Sequence, residues 1–168
     1  MQNVEIKTPL RDRPKVEKRL EAVGARRMWQ RKQRDTFFKV PKGWLKLRET
    51  EETRPEVISY ERSTSHSGPR ESRYDVVPVG NAETWKRLLG RVLPTDTVVE
   101  KERTLWVYEH TRIHLDAVVG LGDYLELETI IMDIDPEEAK SEAERLIQVL
   151  ALDPADFVAV PYRDLLER

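Results

Sequence analysis

The chain of 168 residues contains no cysteine, which excludes disulfides, thiolate metal sites and thiol nucleophiles. It has no apolar run near the ~18 residues that a membrane-spanning helix needs, and its opening stretch, MQNVEIKTPL, lacks the apolar centre of a secretory signal. Net charge is also nearly absent, since 29 basic residues stand against 31 acidic ones for a total of −2. That balance argues against a non-specific binder of nucleic-acid polymers. Aromatics make up only 7% of the residues, and Trp29, Trp44, Trp85 and Trp106 fall on separate predicted elements. They suit core and rim packing better than a base-stacking platform. The expectation is a single domain over residues 1–168, cytoplasmic and without a membrane contact, large enough to bury roughly two thirds of its unfolded surface.

What the chain has in quantity is charge, 36% of all residues, set in regular apolar patterns. Alternation of period two dominates from residue 2 to about 130. It predicts strands over 2–8, 33–40, 44–48, 56–62, 70–78, 97–108, 111–118 and 123–132. Asp12 with Pro14, Asn81, and Asp135 with Pro136 read as helix starts, while Gly24 and Gly90 read as stops. The third helix reaches about Leu150, and its charges, including Glu137, Glu138, Lys140, Glu142, Glu144 and Arg145, read as a solvated face. A serine-rich loop, 63–68, suits the rim. The fold class is therefore α+β, with eight mostly hairpin-connected antiparallel strands. Eight strands can close into a barrel, closed or nearly so, with amphipathic helices packed outside.

Alternate residues of a strand share a face. Val4 and Ile6 oppose Asn3, Glu5 and Lys7; Leu45 and Leu47 oppose Lys46 and Arg48; Leu125 and Leu127 oppose Glu126 and Glu128. Lys101 pairs with Arg103, and Arg112, His114 and Asp116 alternate with Ile113 and Leu115. Arg62 and Arg70 extend the ionic set. The sheet thus has one apolar and one ionic face, and the ionic face either meets water or lines a ligand cavity. In a closed sheet the first and last strands become neighbours, which brings Glu5 to Glu126 and Glu128. Converging carboxylates repel unless a cation sits among them, and open carboxylate sites suit Mg²⁺ or Mn²⁺. Arg and Lys heads in the same space suit a polyanion. The combination describes a site for a metal-chelated triphosphate. His114 reads as a hydrogen-bonded structural residue, and His66 and His110 as solvated ones.

Asn3-Val4-Glu5-Ile6-Lys7 resembles the ExExK signature of the CYTH superfamily, named for class IV adenylyl cyclase and thiamine triphosphatase. The resemblance continues through 33–38, Leu45-Lys46-Leu47-Arg48, 112–116 and the run from Gly120 to Glu128. Pro161-Tyr162-Arg163-Asp164-Leu165-Leu166 is similar to the closing segment of the class IV cyclase-like branch. It implies a triphosphate tunnel with Glu5, Glu126 and Glu128 on a divalent metal. Lys7, Lys46, Arg48, Arg62, Arg70, Lys101, Arg103 and Arg112 would hold phosphate, and Glu5, Lys7 and Asp116 would form the catalytic set. The implied partner is a small triphosphate such as ATP or tripolyphosphate, and relatives of this kind can form homodimers. The implied activity is cyclisation of ATP to cyclic AMP and pyrophosphate. The alternatives are triphosphate hydrolysis and a binding module without turnover. Two positions depart from the pattern: Asn3 replaces the first acid of ExExK, and Glu61-Arg62-Ser63 replaces Lys-Gly-Pro.

Overall fold

A computed structural model describes residues 2–62, 70–132 and 134–167. Eight strands, β1 (Gln2–Pro9), β2 (Arg26–Phe38), β3 (Trp44–Thr50), β4 (Glu56–Arg62), β5 (Arg70–Pro78), β6 (Thr95–Tyr108), β7 (Thr111–Val118) and β8 (Gly122–Ile130), form an antiparallel sheet. The sheet closes in the order β1-β5-β4-β3-β2-β6-β7-β8, so the first and last strands do pair. Closure places Glu5 opposite Glu128 and Lys7 opposite Glu126. Four helices, α1 (Arg13–Ala22), α2 (Ala82–Val92), α3 (Pro136–Leu150) and α4 (Tyr162–Leu166), complete the α+β fold.

The expected caps are in place. The side chains of Asp12, Asn81 and Asp135 accept hydrogen bonds from the backbone N–H of Lys15, Thr84 and Glu138. Gly24 adopts a left-handed φ of 82°, which ends α1 without the penalty a Cβ would bring. Gly90 does not end α2, which runs two residues further, and Pro94 follows directly on its cap Leu93. Strand β2 starts at Arg26, earlier than the alternation shows, because its first half, with Arg26, Arg27, Met28, Gln30 and Lys32 exposed, carries no apolar period. Pairing with β6 holds that half in the sheet. Gly43 closes the β2–β3 turn at φ 70°, where a Cβ would lie 2.8 Å from the carbonyl oxygen of Tyr60.

The apolar face points outward and is covered by helices. Val4, Ile6, Ile113, Leu115, Leu125 and Leu127 pack with Val16 and Leu20 of α1 and Ala139, Ala143, Leu146 and Leu150 of α3. Each fully buried Leu contributes roughly 1.5–3 kcal/mol, so this layer is the main cohesive element of the fold. On the opposite side α2 seats Trp85 and Leu89 against Phe38, Leu47 and Val79. The ionic face is thereby turned into the barrel interior. Glu142 corrects the expectation of a solvated helix face. It is buried and accepts hydrogen bonds from Thr111 Oγ1 and from the backbone N–H of His110, whose ring also reaches its second oxygen at 3.0 Å. That hydrogen bond raises the pKa of His110. The serine-rich loop lies outside the described residues.

Candidate functional site

The interior holds a cavity of about 280 Å³. Among the described residues six basic side chains line it, Lys7, Lys46, Arg48, Lys101, Arg103 and Arg112. Asn3, Glu5, Asp35, Glu126 and Glu128 border it from the same closed wall. The side chains of Arg62 and Arg70 lie outside the described residues; their backbones occupy β4 and β5, with Arg70 in register with Glu5.

Two charge clusters organise the basic groups. In the first, Asp35 on β2 is 2% exposed and accepts from Lys46 (3.1 Å), Lys101 (2.9 Å) and both Nε and Nη2 of Arg48 (2.7 and 2.8 Å). Burial alone would raise the pKa of Asp35, but Arg48, Lys101 and Lys46 override it and hold the carboxyl well below the usual range. Lys46 is pushed down to about 7 by burial first and by the Arg48 charge second. In the second cluster Arg103 donates a bidentate pair to Asp116 (2.7 and 2.6 Å) and a further bond to Glu126 (2.6 Å). Lys7 meets the other oxygen of Glu126 at 3.1 Å. Against burial, Lys7 and Arg103 keep Glu126 well below its ordinary pKa, so it is ionised.

The C-terminal segment closes the Lys7 end. The hydroxyl of Tyr162 donates to Asp116 at 2.9 Å, and its ring lies 4.2 Å from the Lys7 ammonium. Burial, then the charges of Asp116 and Glu126, raise the pKa of Tyr162 well above the phenol range, so it remains a donor. Arg112, towards the opposite end, is exposed and stands across from Glu128.

His114, Glu126 and Glu128 bring three ligand-type atoms within 4.8 Å of one another. Glu5 borders the cavity in register with Glu128 but is outside this tight group. Two carboxylates and an imidazole fit a divalent first-row cation.

Sequence reasoning left Asp35, Tyr162 and His114 without a site role. The 41–43 turn carried a signal for Asp35, because it sets the register that places Asp35 opposite Arg48. Tyr162 carried no local signal, since its partner Asp116 is 46 residues away.

The model of the CYTH domain family matches residues 1–162. The chain belongs to the CYTH family. Its match to solved structures agrees in fold. The PH1012 protein of Pyrococcus horikoshii is 22% identical with a TM-score of 0.84, over 98% of this chain and 99% of that one. A proposed adenylate cyclase of Vibrio parahaemolyticus is 18% identical with a TM-score of 0.79, covering 99% and 98%. HpAC1 of Hippeastrum, a proposed adenylyl cyclase with a dominant triphosphatase activity, is 13% identical with a TM-score of 0.62, covering 98% and 95%. No curated protein matches the chain. CYTH triphosphatases and cyclases generally use divalent metals, and the acidic group on β8 is where this CYTH barrel offers donors for one.

Proposed function

We propose that the chain is a divalent-metal-dependent enzyme that acts on a small triphosphate held along the barrel interior. The observation that carries this reading is the opposition, inside one closed wall, of six cations to an acidic group on β8. Phosphoryl transfer asks a protein for positioning and charge neutralisation more than for a covalent nucleophile, and this interior provides both. Lys46, Arg48 and Lys101, prealigned by Asp35, bind one part of the triphosphate chain. Arg103 and Lys7, prealigned by Asp116, Glu126 and Tyr162, bind another. Exposed Arg112 marks the open end by which substrate enters. Glu126 and Glu128, with Glu5 beside them, would hold Mg²⁺ or Mn²⁺, which would supply positive charge to offset that of the phosphates.

Hydrolysis of a compact triphosphate is the better-supported reaction. A cavity of about 280 Å³ lies at the lower edge of the ~300–1,000 Å³ range of small-molecule pockets. It suits a triphosphate chain more readily than a whole nucleotide. The dominant triphosphatase activity of HpAC1 supports the same choice. Cyclisation of ATP is the second reading, favoured by the aromatic lining from Phe37, Tyr60 and Tyr74 on one wall and by the likeness to the Vibrio protein. Phosphorus NMR with Mg²⁺ or Mn²⁺, first on tripolyphosphate and then on ATP, separates them. Orthophosphate identifies hydrolysis, and pyrophosphate with a cyclic phosphodiester identifies cyclisation. Unchanged spectra with both substrates and both metals overturn the enzyme reading.

A further inference from the structure

Two buried side-chain atoms on the β1–β8–β7 wall lack a hydrogen-bond partner. His114 is 5% exposed, yet its Nδ1 makes no hydrogen bond; Asn3, 2% exposed, has an unpaired Oδ1. A buried polar atom left in this state costs roughly 1–3 kcal/mol, and at His114 the unbonded nitrogen is the one that faces two carboxylates. His114 Nδ1 faces Glu126 Oε2 at 3.7 Å and Glu128 Oε1 at 3.8 Å. Both separations exceed a hydrogen bond and leave a gap among three ligand atoms. Around a cation with bonds of about 2.1 Å, tetrahedral donors stand about 3.4 Å apart, so a contraction of a few tenths of an ångström brings His114 to that spacing from either carboxylate.

The other groups facing this gap leave it available. Lys7 takes the far oxygen of Glu126, and Arg103 takes one lone-pair direction of Oε2. Across β7 from Glu128 stands Arg112, exposed and not among the donors. Asn3 borders the same cavity with a carbonyl where the ExExK pattern has a carboxylate. At position 3 the site has therefore exchanged an anionic oxygen for an amide carbonyl. Mg²⁺ demands oxygen ligands and gains little from an imidazole, whereas Mn²⁺, Co²⁺ and Zn²⁺ accept nitrogen with increasing affinity along the first row.

We infer that His114 is a direct metal ligand, and that with Glu126 and Glu128 it forms a mixed nitrogen–oxygen site selecting a first-row transition ion over Mg²⁺. This inference rests on the metal-dependent reading above and adds the identity of the ion.

The test uses untagged full-length protein. The chain has only three histidines, at 66, 110 and 114, so nitrogen coupling can be assigned by elimination. Mn²⁺ bound to the wild type, without and with tripolyphosphate, is expected to show ¹⁴N modulation in pulsed EPR. The modulation persists in the His66→Gln, His110→Gln double variant and vanishes in His114→Asn. Co²⁺ binding, titrated by its visible bands, weakens by at least about 100-fold in His114→Asn, since even outer-sphere partners of a metal site are worth 10–100-fold. Mg²⁺ affinity, measured by calorimetry, is unchanged in that variant. Bound Mn²⁺ without ¹⁴N modulation, or equal Co²⁺ affinity in His114→Asn, overturns the inference and leaves a carboxylate-only site and the proposed function intact. Failure of all these ions to bind, even with tripolyphosphate present, overturns the functional reading itself. If His114→Asn does not fold, the wild-type and double-variant spectra still decide.

Discussion

Replacing Asp35 with asparagine keeps the shape of the side chain but removes the one negative charge that Lys46, Arg48 and Lys101 share. Removing one member of a buried ion pair costs about 3–5 kcal/mol, because the partner stays buried and uncompensated. Three partners do not triple that cost. Lys46 titrates at about 7 and is already largely neutral at pH 8, so Arg48 and Lys101 are the charges left without their counter-ion. The loss for Asp35→Asn is therefore about 3–5 kcal/mol in the free protein. For a chain of this length that lowers the melting temperature by roughly 6–20 °C. Thermal unfolding followed by far-ultraviolet circular dichroism at pH 8 measures it. Saturating tripolyphosphate then raises the melting temperature of the variant more than that of the wild type, since the polyanion supplies the missing counter-charge. Acidification gives a second check. Asp35 has a folded pKa well below its unfolded value of about 3.9. Its contribution is complete above the unfolded value and is lost as pH falls through the folded one, so the gap between variant and wild type narrows in acid. A fall of less than about 2 °C at pH 8, with an unchanged spectrum, would refute the view that Asp35 holds the cation cluster.

Four further outcomes follow from the same geometry. The Glu126→Ala, Glu128→Ala double variant loses metal-dependent turnover by at least about 100-fold, read as product formed in phosphorus NMR; full activity would remove both residues from the metal site. At pH 8 Lys46, which titrates at about 7, is largely neutral in the free protein. Binding raises the Lys46 pKa, so calorimetry in two buffers of different ionisation enthalpy shows proton uptake that shrinks in Lys46→Arg; equal enthalpies in both buffers contradict this. The same depressed pKa makes stability rise with pH between about 7 and the unfolded lysine value, because the unfolded chain binds the extra proton there. Tyr162→Phe keeps the ring against Lys7 and loses only the hydroxyl bond to Asp116, which Arg103 still satisfies. The expected cost is about 1 kcal/mol, a fall of roughly 2–4 °C in melting temperature, and a fall several times larger would show that the hydroxyl organises the end of the barrel.

The alternation in 2–8, 44–48, 111–118 and 123–132 was enough to assign one apolar and one ionic face, because a strand's period of two is a local property. Caps at Asp12, Asn81 and Asp135 were equally local, each resting on a side chain three residues from the N–H it accepts. The family signature was likewise readable in residues 3–7 and 120–128. The direction in which the ionic face points was not local. Closure of β1 on β8 turned it inward and brought Glu5 to Glu128 and Lys7 to Glu126 across more than a hundred residues. The register of the other strands pairs most of the basic lining: Asp35 takes Lys46 and Arg48 from β3 and Lys101 from β6, and Asp116 and Glu126 share Arg103. Glu142 shows the same limit on an outer surface, where a charge inside a charged run is buried because the His110–Thr111 turn offers it donors. His114 resembled any strand histidine until Glu126 and Glu128 were placed beside it. Sequence determined which residues share a face; the tertiary structure decided which charges neutralise each other and which polar atoms stay without a hydrogen bond, because those depend on the register between paired strands, from hairpin neighbours such as β2 and β3 to β1 and β8 at the two ends of the chain.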